Sequence, residues 1–490
     1  MMNRNENYPK QFIVSNDEIA LFDGWLHEII CGIYLNRSDK LPRTIIFRAE
    51  KQVGFILGWF TYNNCFYFKD GDLKIGTDIN DTFFQTLSGR FLIIEKIESD
   101  IQVTTDPGAL LSVIYDENTK IVASTPTVLC NIKKIKIDEN VIKNVTRRDG
   151  TIWYPFGIVP YEGIKRILPS RKLRLATGKI STINYFEGLK GTESPDLITK
   201  EIFDRVTSNI IAVSKVGPLT AHLTAGYDTR MILSSCLSSG VEITFQTFLT
   251  DSQSARLDCD IAKYIATTFN LNHKIIIVDK PDEEEVEKWI QRTGHCIYDS
   301  VALLCKTVKE SDSGNFFLTG GCGEVGRSFY WKKKDLTEKN ISIQEVINLL
   351  GFATSKYLLC KCENWMDEIP RNLDKTTVLD IAYIDNRLGC WGGPSVYGHN
   401  INRPTISPFN EAEIYKKMLS LPKEYRLNNQ FAKKFIAFSN DKLLKIPFNR
   451  AIGFKKFLHI KQEIKNILPR EIYEILKIIY FKTKIKSLRS

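Results

Sequence analysis

Residues 223–230 read Leu-Thr-Ala-Gly-Tyr-Asp-Thr-Arg and stand between an apolar run and a stretch of helical periodicity. The run at residues 218–223 predicts a buried strand, and apolar side chains then recur at the spacing of a helix. They are Met231, Ile232, Leu233, Cys236 and Leu237. A strand that turns into a helix through small residues presents backbone N–H groups at the helix start, where the helix dipole favours an oxyanion. The octapeptide therefore predicts a strand–loop–helix unit of an α/β fold that carries a phosphate-binding loop.

The individual side chains of this loop suit a phosphate. Thr224, Ala225 and Gly226 are small enough to let a phosphate approach. Thr229 can donate a hydroxyl, and Asp228 can hold a magnesium ion that bridges phosphates. Turn and capping chemistry explains the same residues, because strand-to-helix turns also use Thr, Gly and Asp. Taken in isolation, the loop leaves both interpretations open.

A second turn of the same kind follows roughly 90 residues later. The apolar run at residues 316–318 leads into Thr-Gly-Gly-Cys-Gly-Glu-Val-Gly-Arg at residues 319–327, in which Glu324 is the carboxylate. A glycine cluster after a strand is often only a tight turn. Two such turns at the carboxyl ends of strands, however, are where an α/β sheet builds a ligand crevice. The pair predicts a nucleotide site.

Both turns resemble those of the asparagine synthetase-like enzymes, whose loops read Ser-Gly-Gly-Leu-Asp-Ser and Leu-Ser-Gly-Glu-Gly-Ser-Asp-Glu. Residues 224–229 match the first loop with small or like residues, and residues 318–325 take the place of the second. The resemblance implies an ATP pyrophosphatase-type synthetase domain in which Asp228 and Glu324 hold magnesium pyrophosphate. It also implies that Thr319 and Gly320 lie against the adenosine. The ATP- and pyrophosphate-binding residues implied in this way are Leu223, Thr224, Ala225, Gly226, Tyr227, Asp228, Thr229, Arg230, Thr319 and Gly320.

Further segments resemble the family in the same order along the chain. Predicted strands at residues 243–249 and 275–278 flank a helix at residues 258–269, which carries Asp258, Ala262 and Ala266 on one face. Residues 402–410, Asn-Arg-Pro-Thr-Ile-Ser-Pro-Phe-Asn, are similar to the family's Arg-x-Pro-Phe-x-Asp segment, and Leu421-Pro422 to its later Leu-Pro. The match therefore extends well beyond the two loops.

The first half resembles the layered glutaminase-type domain that precedes the synthetase domain in this family, through residues 89–94, 105–108 and 110–115. The expected fold class is α/β. An α+β layered sandwich of glutaminase (Ntn) type is followed by a doubly wound parallel α/β domain of adenine nucleotide alpha hydrolase-like type. The expected boundaries are 1–192 for the first domain, 193–450 for the ATP-binding domain and 451–490 for a basic amphipathic C-terminal extension.

One departure from the family pattern concerns glutamine. An active glutaminase of this type uses an N-terminal cysteine as both thiolate and amine, whereas this chain begins Met1-Met2-Asn3 and its first cysteine is Cys31. A thiol that far from the α-amino group cannot do both jobs. We therefore expect a degenerate first domain and a nitrogen source other than glutamine.

A second departure lies in the synthetase loop, where Gly321 replaces the family's glutamate. That carboxylate helps to handle ammonia in asparagine formation, so plain asparagine synthesis is not expected. Members that form lactams, the β-lactam synthetases among them, also lack it and use a tyrosine and a C-terminal lysine to assist the attacking amine; lasso-peptide cyclases are similar too. Tyr298 stands at the spacing of that tyrosine and is the predicted catalytic residue, although a core tyrosine with a satisfied hydroxyl is the competing interpretation. Lys445 and Lys455 are only nearby candidates for the lysine.

Composition sets the remaining bounds. A chain of 490 residues is long enough for two or three domains with full cores. Its 11 cysteines show no paired Cys-x-x-Cys framework. The first residues lack the pattern of a signal peptide, and no apolar run is long enough to span a membrane. We therefore expect a cytoplasmic protein.

Basic residues do not interleave with aromatic ones in the manner of an RNA-stacking surface, so neither transfer RNA modification nor a nucleic-acid partner is expected.

The formal charge of +10 is concentrated in part in the last forty residues, where Lys and Arg alternate with Ile, Leu, Phe and Tyr. Such a tail can lie on an anionic membrane as a peripheral contact. It can equally form an amphipathic helix that docks on its own domain with Lys outward. Both interpretations stay open.

Together these features predict an ATP- and Mg²⁺-dependent, AMP-forming amide ligase. It would adenylate a small-molecule, sugar or peptide carboxylate and transfer the acyl group to an amine or ammonia, in polysaccharide or natural-product biosynthesis. The alternative is a nucleotide-binding scaffold or regulatory pseudoenzyme, because parts of the family's apparatus are missing. The sequence does not predict the substrates or the oligomeric state.

Overall fold

The computed structural model describes residues 7–19, 24–76, 83–169, 171–183, 193–399 and 404–449. Within these ranges a first part rich in antiparallel strands precedes a second part in which a parallel sheet is accompanied by helices. No helix in the described ranges is both long and apolar enough to cross a membrane. The predicted C-terminal extension, together with Lys455, Asn402 and Arg403, lies outside the described residues.

The first part contains two sheets, with strand orders β12-β10-β11-β1-β3-β2 and β14-β13-β9-β8-β5-β4-β7, β6 pairing with β5. All pairings are antiparallel except that of β4 with β7. The strands are β1 Phe12–Ser15, β2 Leu26–Ile30, β3 Ile33–Arg37, β4 Arg43–Arg48, β5 Lys51–Tyr62, β6 Cys65–Tyr67, β7 Gly71–Ile75, β8 Ser88–Ile97, β9 Asp100–Thr105, β10 Ile114–Asp116, β11 Ile121–Ala123, β12 Ile164–Arg166, β13 Arg171–Arg174 and β14 Lys179–Thr182.

The long strand β5 shows how these sheets are held. Phe55 and Leu57 belong to a core cluster that also contains residues of β1 and β3 in the other sheet, whereas Ile56 and Phe60 belong to a separate cluster. This assignment follows the two-residue alternation of a strand, which sends successive side chains to opposite faces. The two sheets thus share a core, and a further apolar layer covers the other side of β5. That this part is a glutaminase (Ntn) domain stays a prediction.

Helices dominate the rest of the described chain. They are α1 Pro126–Cys130, α2 Glu139–Asn144, α3 Pro195–Ser214, α4 Tyr227–Ser239, α5 Gln253–Phe269, α6 Glu283–Arg292, α7 Cys305–Glu310, α8 Ile343–Leu349, α9 Lys356–Glu368, α10 Lys375–Ala382, α11 Gly393–Gly398, α12 Ala412–Ser420, α13 Lys423–Leu427, α14 Gln430–Ala437 and α15 Lys442–Lys445, with a π-helix at Tyr383–Gly392 and 3-10 turns at Phe83–Thr86, Ala302–Leu304, Gly323–Gly326 and Lys333–Leu336.

The second part is built on a parallel sheet of five strands in the order β17-β16-β15-β18-β19. Its strands are β15 Leu219–His222, β16 Ile243–Leu249, β17 His273–Ile277, β18 Phe316–Leu318 and β19 Thr405–Ile406. The chain adds β16 and β17 on one side of β15, and β18 and β19 on the other. The strand order therefore reverses between β15 and β18, and such a switch point leaves a crevice at the carboxyl ends of the two strands.

The predicted parallel sheet is confirmed, with small differences at the element ends. Helix α5 begins five residues before the predicted 258, because the Ser252 hydroxyl caps it by accepting a hydrogen bond from the Ala255 N–H at 3.1 Å. Strand β17 begins at His273 rather than 275, since His273 pairs in register with Phe245 of β16. Local capping and pairing, which hydropathy does not encode, account for both differences.

Contacts between the two parts fix the region around β19. The Trp59 indole of β5 donates to the Thr405 carbonyl at 2.9 Å. The buried Asn410 amide donates to the Gly89 carbonyl at 2.6 Å and to the Asp106 carboxylate at 2.8 Å. Residues 404–410 are thus tied to the antiparallel sheets on one side and to the parallel sheet on the other. The predicted domain boundaries stay predictions.

Candidate functional site

The two predicted loops meet at the switch point of the parallel sheet. We call residues 223–230 the phosphate loop and residues 319–327 the glycine loop; the first follows β15 and the second follows β18, its neighbour in the sheet. Their backbones touch, because a Cβ added to Gly320 would lie 2.5 Å from the Asp228 carbonyl oxygen. Only glycine permits so close an approach.

Hydrogen bonds within the phosphate loop fix its shape. The Thr224 N–H donates to the Thr229 hydroxyl at 3.1 Å, and the Gly226 N–H donates to the Thr224 hydroxyl at 3.2 Å. The Ala225 N–H donates to the Asp258 carboxylate at 2.8 Å. These three N–H groups have partners inside the protein. The first turn of α4, whose N–H groups have no acceptor within the helix, is therefore the part of the loop suited to an oxyanion.

A carboxylate pair lies where the loops meet. Burial, with Glu324 as the second cause, raises the pKa of Asp228 to about 7, although Arg327 acts in the opposite direction. The Arg327 guanidinium donates to both Asp228 oxygens, at 2.7 and 2.8 Å. No role was predicted for Arg327 from the sequence, in which it stands out only as a cation three residues after Glu324.

The residues of this pair fit a magnesium ion. Glu324 Oε2 is buried and has no hydrogen-bond partner among the described residues. A carboxylate oxygen in that state lacks a cation or a donor, and Mg²⁺ prefers such oxygen ligands together with substrate phosphates. A second acidic group, formed by Asp335, Glu338 and Glu345, does not compete as a site, because the Lys375 ammonium forms ion pairs with all three carboxylates.

Arg230 has a different environment from the rest of the phosphate loop. It is fully buried, and its guanidinium donates to the carbonyls of Ile446 at 2.8 Å and Pro447 at 2.5 Å. The guanidinium carbon also lies 4.0 Å from the centre of the Phe448 ring, which stacks on Tyr227 at 4.1 Å. The structure therefore places Arg230 against residues 443–449. Its predicted contact with pyrophosphate stays a prediction.

The start of the glycine loop is held by β19. The Thr319 N–H donates to the Ile406 carbonyl at 2.9 Å, and the Gly321 N–H donates to the Thr319 hydroxyl at 3.1 Å. Ser407 donates its hydroxyl to the Gly321 carbonyl. Thr319 and Gly320, which were predicted to contact adenosine, thus directly follow the end of β18. Hydrogen bonds with β19 and Ser407 hold this segment in place.

Tyr298 is not brought to the carboxylate pair by any described hydrogen bond or ring contact. It pairs through its backbone with Ile152, at 2.8 Å in both directions, and its side chain is exposed. A different tyrosine lies near the pair. Tyr383 is buried, and its pKa is raised well above the ordinary value by burial first and by Glu324 second. The proposed catalytic role of Tyr298 stays a prediction, and no spacing in the sequence indicates Tyr383.

Lys445, one of the two lysine candidates, is exposed at the end of α15. The carbonyl of the next residue, Ile446, accepts from Arg230, so Lys445 belongs to the segment that is held against the phosphate loop. No described contact gives its ammonium group a role.

A groove of about 1150 Å³ opens at the carboxyl ends of β16 and β17, on the same edge of the sheet as the phosphate loop. Its walls combine apolar side chains, such as Ile277 and Leu303, with polar ones, such as Thr250 and Arg256. The edge of the sheet therefore has room for an organic ligand beside the loops.

Comparison with known proteins gives distant likenesses. One solved structure is that of an NMN synthetase from Francisella tularensis, with 13% identity over 40% of this chain and 94% of that chain and a TM-score of 0.21. Another is a glutamine-dependent NAD+ synthetase from Acinetobacter baumannii in complex with ADP, with 13% identity over 45% of this chain and 43% of that chain and a TM-score of 0.18. No protein-family model matches the sequence, and a search of curated proteins gives no match. TM-scores this low carry no argument about activity, so the asparagine synthetase-like resemblance stays a prediction and the case for function rests on this chain's own residues.

Proposed function

We propose that the protein is an ATP-dependent carbon–nitrogen ligase that forms AMP and pyrophosphate. The observation that supports this most is the carboxylate pair, Asp228 and Glu324, brought together by two strand-end loops at the switch point of a parallel sheet. That position is where open α/β sheets bind ligands, and carboxylates beside a helix start are suited to a magnesium–nucleotide complex.

The reaction would proceed in two steps, adenylation of the acid and transfer of the acyl group to an amine. A substrate carboxylate oxygen attacks the α-phosphorus of ATP, and the bond from that phosphorus to the bridging oxygen breaks, releasing pyrophosphate. An amine nitrogen then attacks the acyl carbon, AMP leaves with the electron pair of the broken C–O bond, and the nitrogen loses a proton. Both steps move negative charge onto phosphate oxygens, so preorganised donors are the main catalytic requirement.

The chain's own groups supply donors of this kind. The start of α4 directs backbone N–H groups toward the crevice, and the hydroxyls of Thr224 and Thr229 lie 3.0 Å apart within the loop. Arg327 adds a fixed positive charge beside Asp228. A bound magnesium ion would be held by Asp228 and Glu324 and would neutralise charge on the departing pyrophosphate. We assign the assistance of the attacking amine to Tyr298, as the sequence predicts.

The first cysteine of the chain does not favour glutamine as the nitrogen donor. Cys31 lies in the turn between β2 and β3, and burial raises the pKa of its thiol. A raised pKa lowers the thiolate fraction that a glutaminase needs. We therefore propose free ammonia or a substrate amine as the acceptor.

Exchange of labelled pyrophosphate into ATP tests the first step. With Mg²⁺ and a panel of carboxylic acids, at least one acid should support exchange by the wild-type protein. Asp228→Asn keeps the shape of the side chain but removes its charge, so exchange should fall by at least about 100-fold. The matched control is Asp204→Asn, since Asp204 is an exposed carboxylate on α3 that forms an ion pair with Lys200, far along the helix from its start. That variant should exchange like the wild type.

One observation favours the alternative of a nucleotide-binding scaffold. Both oxygens of Asp228 already accept hydrogen bonds from Arg327, so the guanidinium takes the place beside this carboxylate where a magnesium ion is expected. Under this alternative ATP binds saturably, but no acid supports exchange and Asp228→Asn leaves the binding of the protein's partner unchanged. Exchange that depends on one acid and disappears in Asp228→Asn contradicts the scaffold.

A further inference from the structure

The glycine loop continues into a group of aromatic residues beside the carboxylate pair. After Arg327 the chain reaches Phe329 and Tyr330, whose rings lie 4.6 and 6.2 Å from the ring of Tyr383. Tyr383 is the first residue of the π-helix Tyr383–Gly392. The start of this helix is therefore packed on the residues that directly follow the glycine loop, which carries Glu324. Helical turns of π type are rare overall, but those that occur are often found at functional sites.

One turn further along the π-helix stands an arginine with an unusual environment. The Arg387 guanidinium carbon lies 3.5 Å from the centre of the Trp391 ring. Among the described residues, no hydrogen bond or ion pair reaches this guanidinium. The buried Arg426 shows the common alternative, because Asp380 accepts two hydrogen bonds from it, at 2.7 and 2.8 Å. Arg387 is only partly buried, so a ligand can reach it.

The ring beneath Arg387 is itself fixed. The Trp391 indole donates to the Asp299 carboxylate at 2.5 Å, and the other oxygen of Asp299 accepts from the Val301 N–H at 2.9 Å. A planar guanidinium held flat on a fixed indole loses little further entropy when a ligand binds. Its edge presents parallel N–H groups, which match the two oxygens of a carboxylate in bidentate geometry.

We propose that Arg387 binds a carboxylate of the substrate that is distinct from the one activated by ATP, so that the protein selects acids carrying at least two carboxylates. This inference rests on the proposed ligase function and names its substrate class. A carboxylate is favoured over a phosphate dianion, because a second negative charge would face Asp299 nearby, and Arg147, the other cation close to Arg387, is already paired with Asp149. Arg387 thus determines specificity, while the carboxylate pair handles the nucleotide.

Calorimetric titration of the full chain, with ATP and Mg²⁺ present, tests the site without requiring turnover. The probes are succinate, L-aspartate and L-glutamate, each paired with its monoamide. At least one diacid should bind more tightly than its amide. Arg387→Gln should weaken that binding by about 10- to 100-fold, while the affinity for ATP changes by less than about twofold. Arg387→Lys retains the positive charge but lacks the planar guanidinium that can bind both carboxylate oxygens. Its affinity for the diacid should therefore lie between that of the wild type and that of Arg387→Gln.

Two controls keep the result interpretable. Arg371→Gln removes an exposed arginine between α9 and α10 and should leave every affinity unchanged. Because Arg387→Gln could disturb the stack on Trp391, its ATP affinity and that of Arg387→Lys report whether the fold persists. Equal diacid affinity in wild type and Arg387→Gln overturns the inference, as does the failure of every diacid to bind.

Pyrophosphate exchange with the same acids separates this inference from the proposed function. Diacid binding that depends on Arg387, without exchange, supports the carboxylate site and rejects the ligase. Exchange with an unchanged KM for the diacid in Arg387→Gln supports the ligase and rejects the role of Arg387. A raised KM for the diacid, with an unchanged KM for ATP, supports both.

Discussion

Gly320 and Gly321 are neighbours in the glycine loop, yet their surroundings differ sharply. A Cβ on Gly320 would meet the Asp228 carbonyl oxygen at 2.5 Å and its carbonyl carbon at 2.6 Å, and both are backbone atoms that belong to a helix start. A Cβ on Gly321 would meet the Thr319 hydroxyl at 3.4 Å, which is an ordinary contact. The approach of the two loops therefore depends on one glycine of the pair.

Gly320→Ala should force the loops apart and weaken ATP binding. Relieving a backbone overlap of this kind costs about 1–3 kcal/mol, which corresponds to a loss of roughly 5- to 150-fold in affinity. Gly321→Ala, at the adjacent position, should bind ATP within about twofold of the wild type. Titration of ATP into the three proteins measures the difference. Equal affinities for the two alanine variants would show that the contact between the loops has no part in nucleotide binding.

At the scale of elements, Arg230 connects the start of α4 to α15 and to the residues that follow it. Its guanidinium binds the carbonyls of Leu443, Ile446 and Pro447, and the Asn449 N–H donates to the Ala225 carbonyl at 3.2 Å. The two segments are more than 200 residues apart in sequence. Burial lowers the pKa of Arg230 to about 10, because the guanidinium is largely removed from water.

Arg230→Met keeps the length of the side chain but removes the hydrogen bonds that the guanidinium donates. Because buried carbonyls would then lack donors, the free energy of unfolding should fall by about 2–4 kcal/mol. Amides in residues 443–449 should also exchange hydrogen faster than in the wild type. Arg230→Lys, which retains the charge but only part of the bonding, should give intermediate values. Unchanged exchange in residues 443–449 would mean that other contacts hold this segment.

The same arginine shows what sequence patterns could and could not predict. Strands β15, β16 and β18 follow from local apolar runs, and the meeting of their loops follows from parallel pairing. The role of Arg230 depends on carbonyls that arrive from a remote part of the chain, and no spacing encodes them. Arg387 was also not predicted, because its exposure to a ligand depends on a π-helix and on the stack with Trp391. Local order was therefore predictable, whereas long-range polar contacts were not.

At the scale of the whole molecule, a buried carboxylate lies where the antiparallel and parallel parts meet. Glu411 accepts from Arg205 of α3 at 2.9 and 3.0 Å and from Asn209 at 3.3 Å. Arg205 also donates to the Thr86 carbonyl at 2.8 Å, and Asn209 accepts from the Thr61 hydroxyl of β5 at 2.8 Å. Helix α3 thus bonds to both parts through one polar network. Loosening this network should affect the stability of the molecule as a whole.

The charge of Glu411 makes that stability dependent on pH in a defined direction. Burial, partly offset by Arg205, raises the pKa of Glu411 from 4.5 to about 7 in the folded protein. Between these values the folded state holds a proton that the unfolded state has released. The contribution of Glu411 to the free energy of unfolding is therefore fully present below pH 4.5 and is lost as pH rises through 7.

The free energy of unfolding of the wild type minus that of Glu411→Gln should therefore fall by roughly 1–3 kcal/mol as pH rises across this window. Urea unfolding at a series of pH values measures this difference, and Glu424→Gln, at an exposed position on α13, should show no comparable trend. A difference that stays constant or grows with pH would mean that Glu411 remains ionised at the junction and that its pairing with Arg205 outweighs its burial.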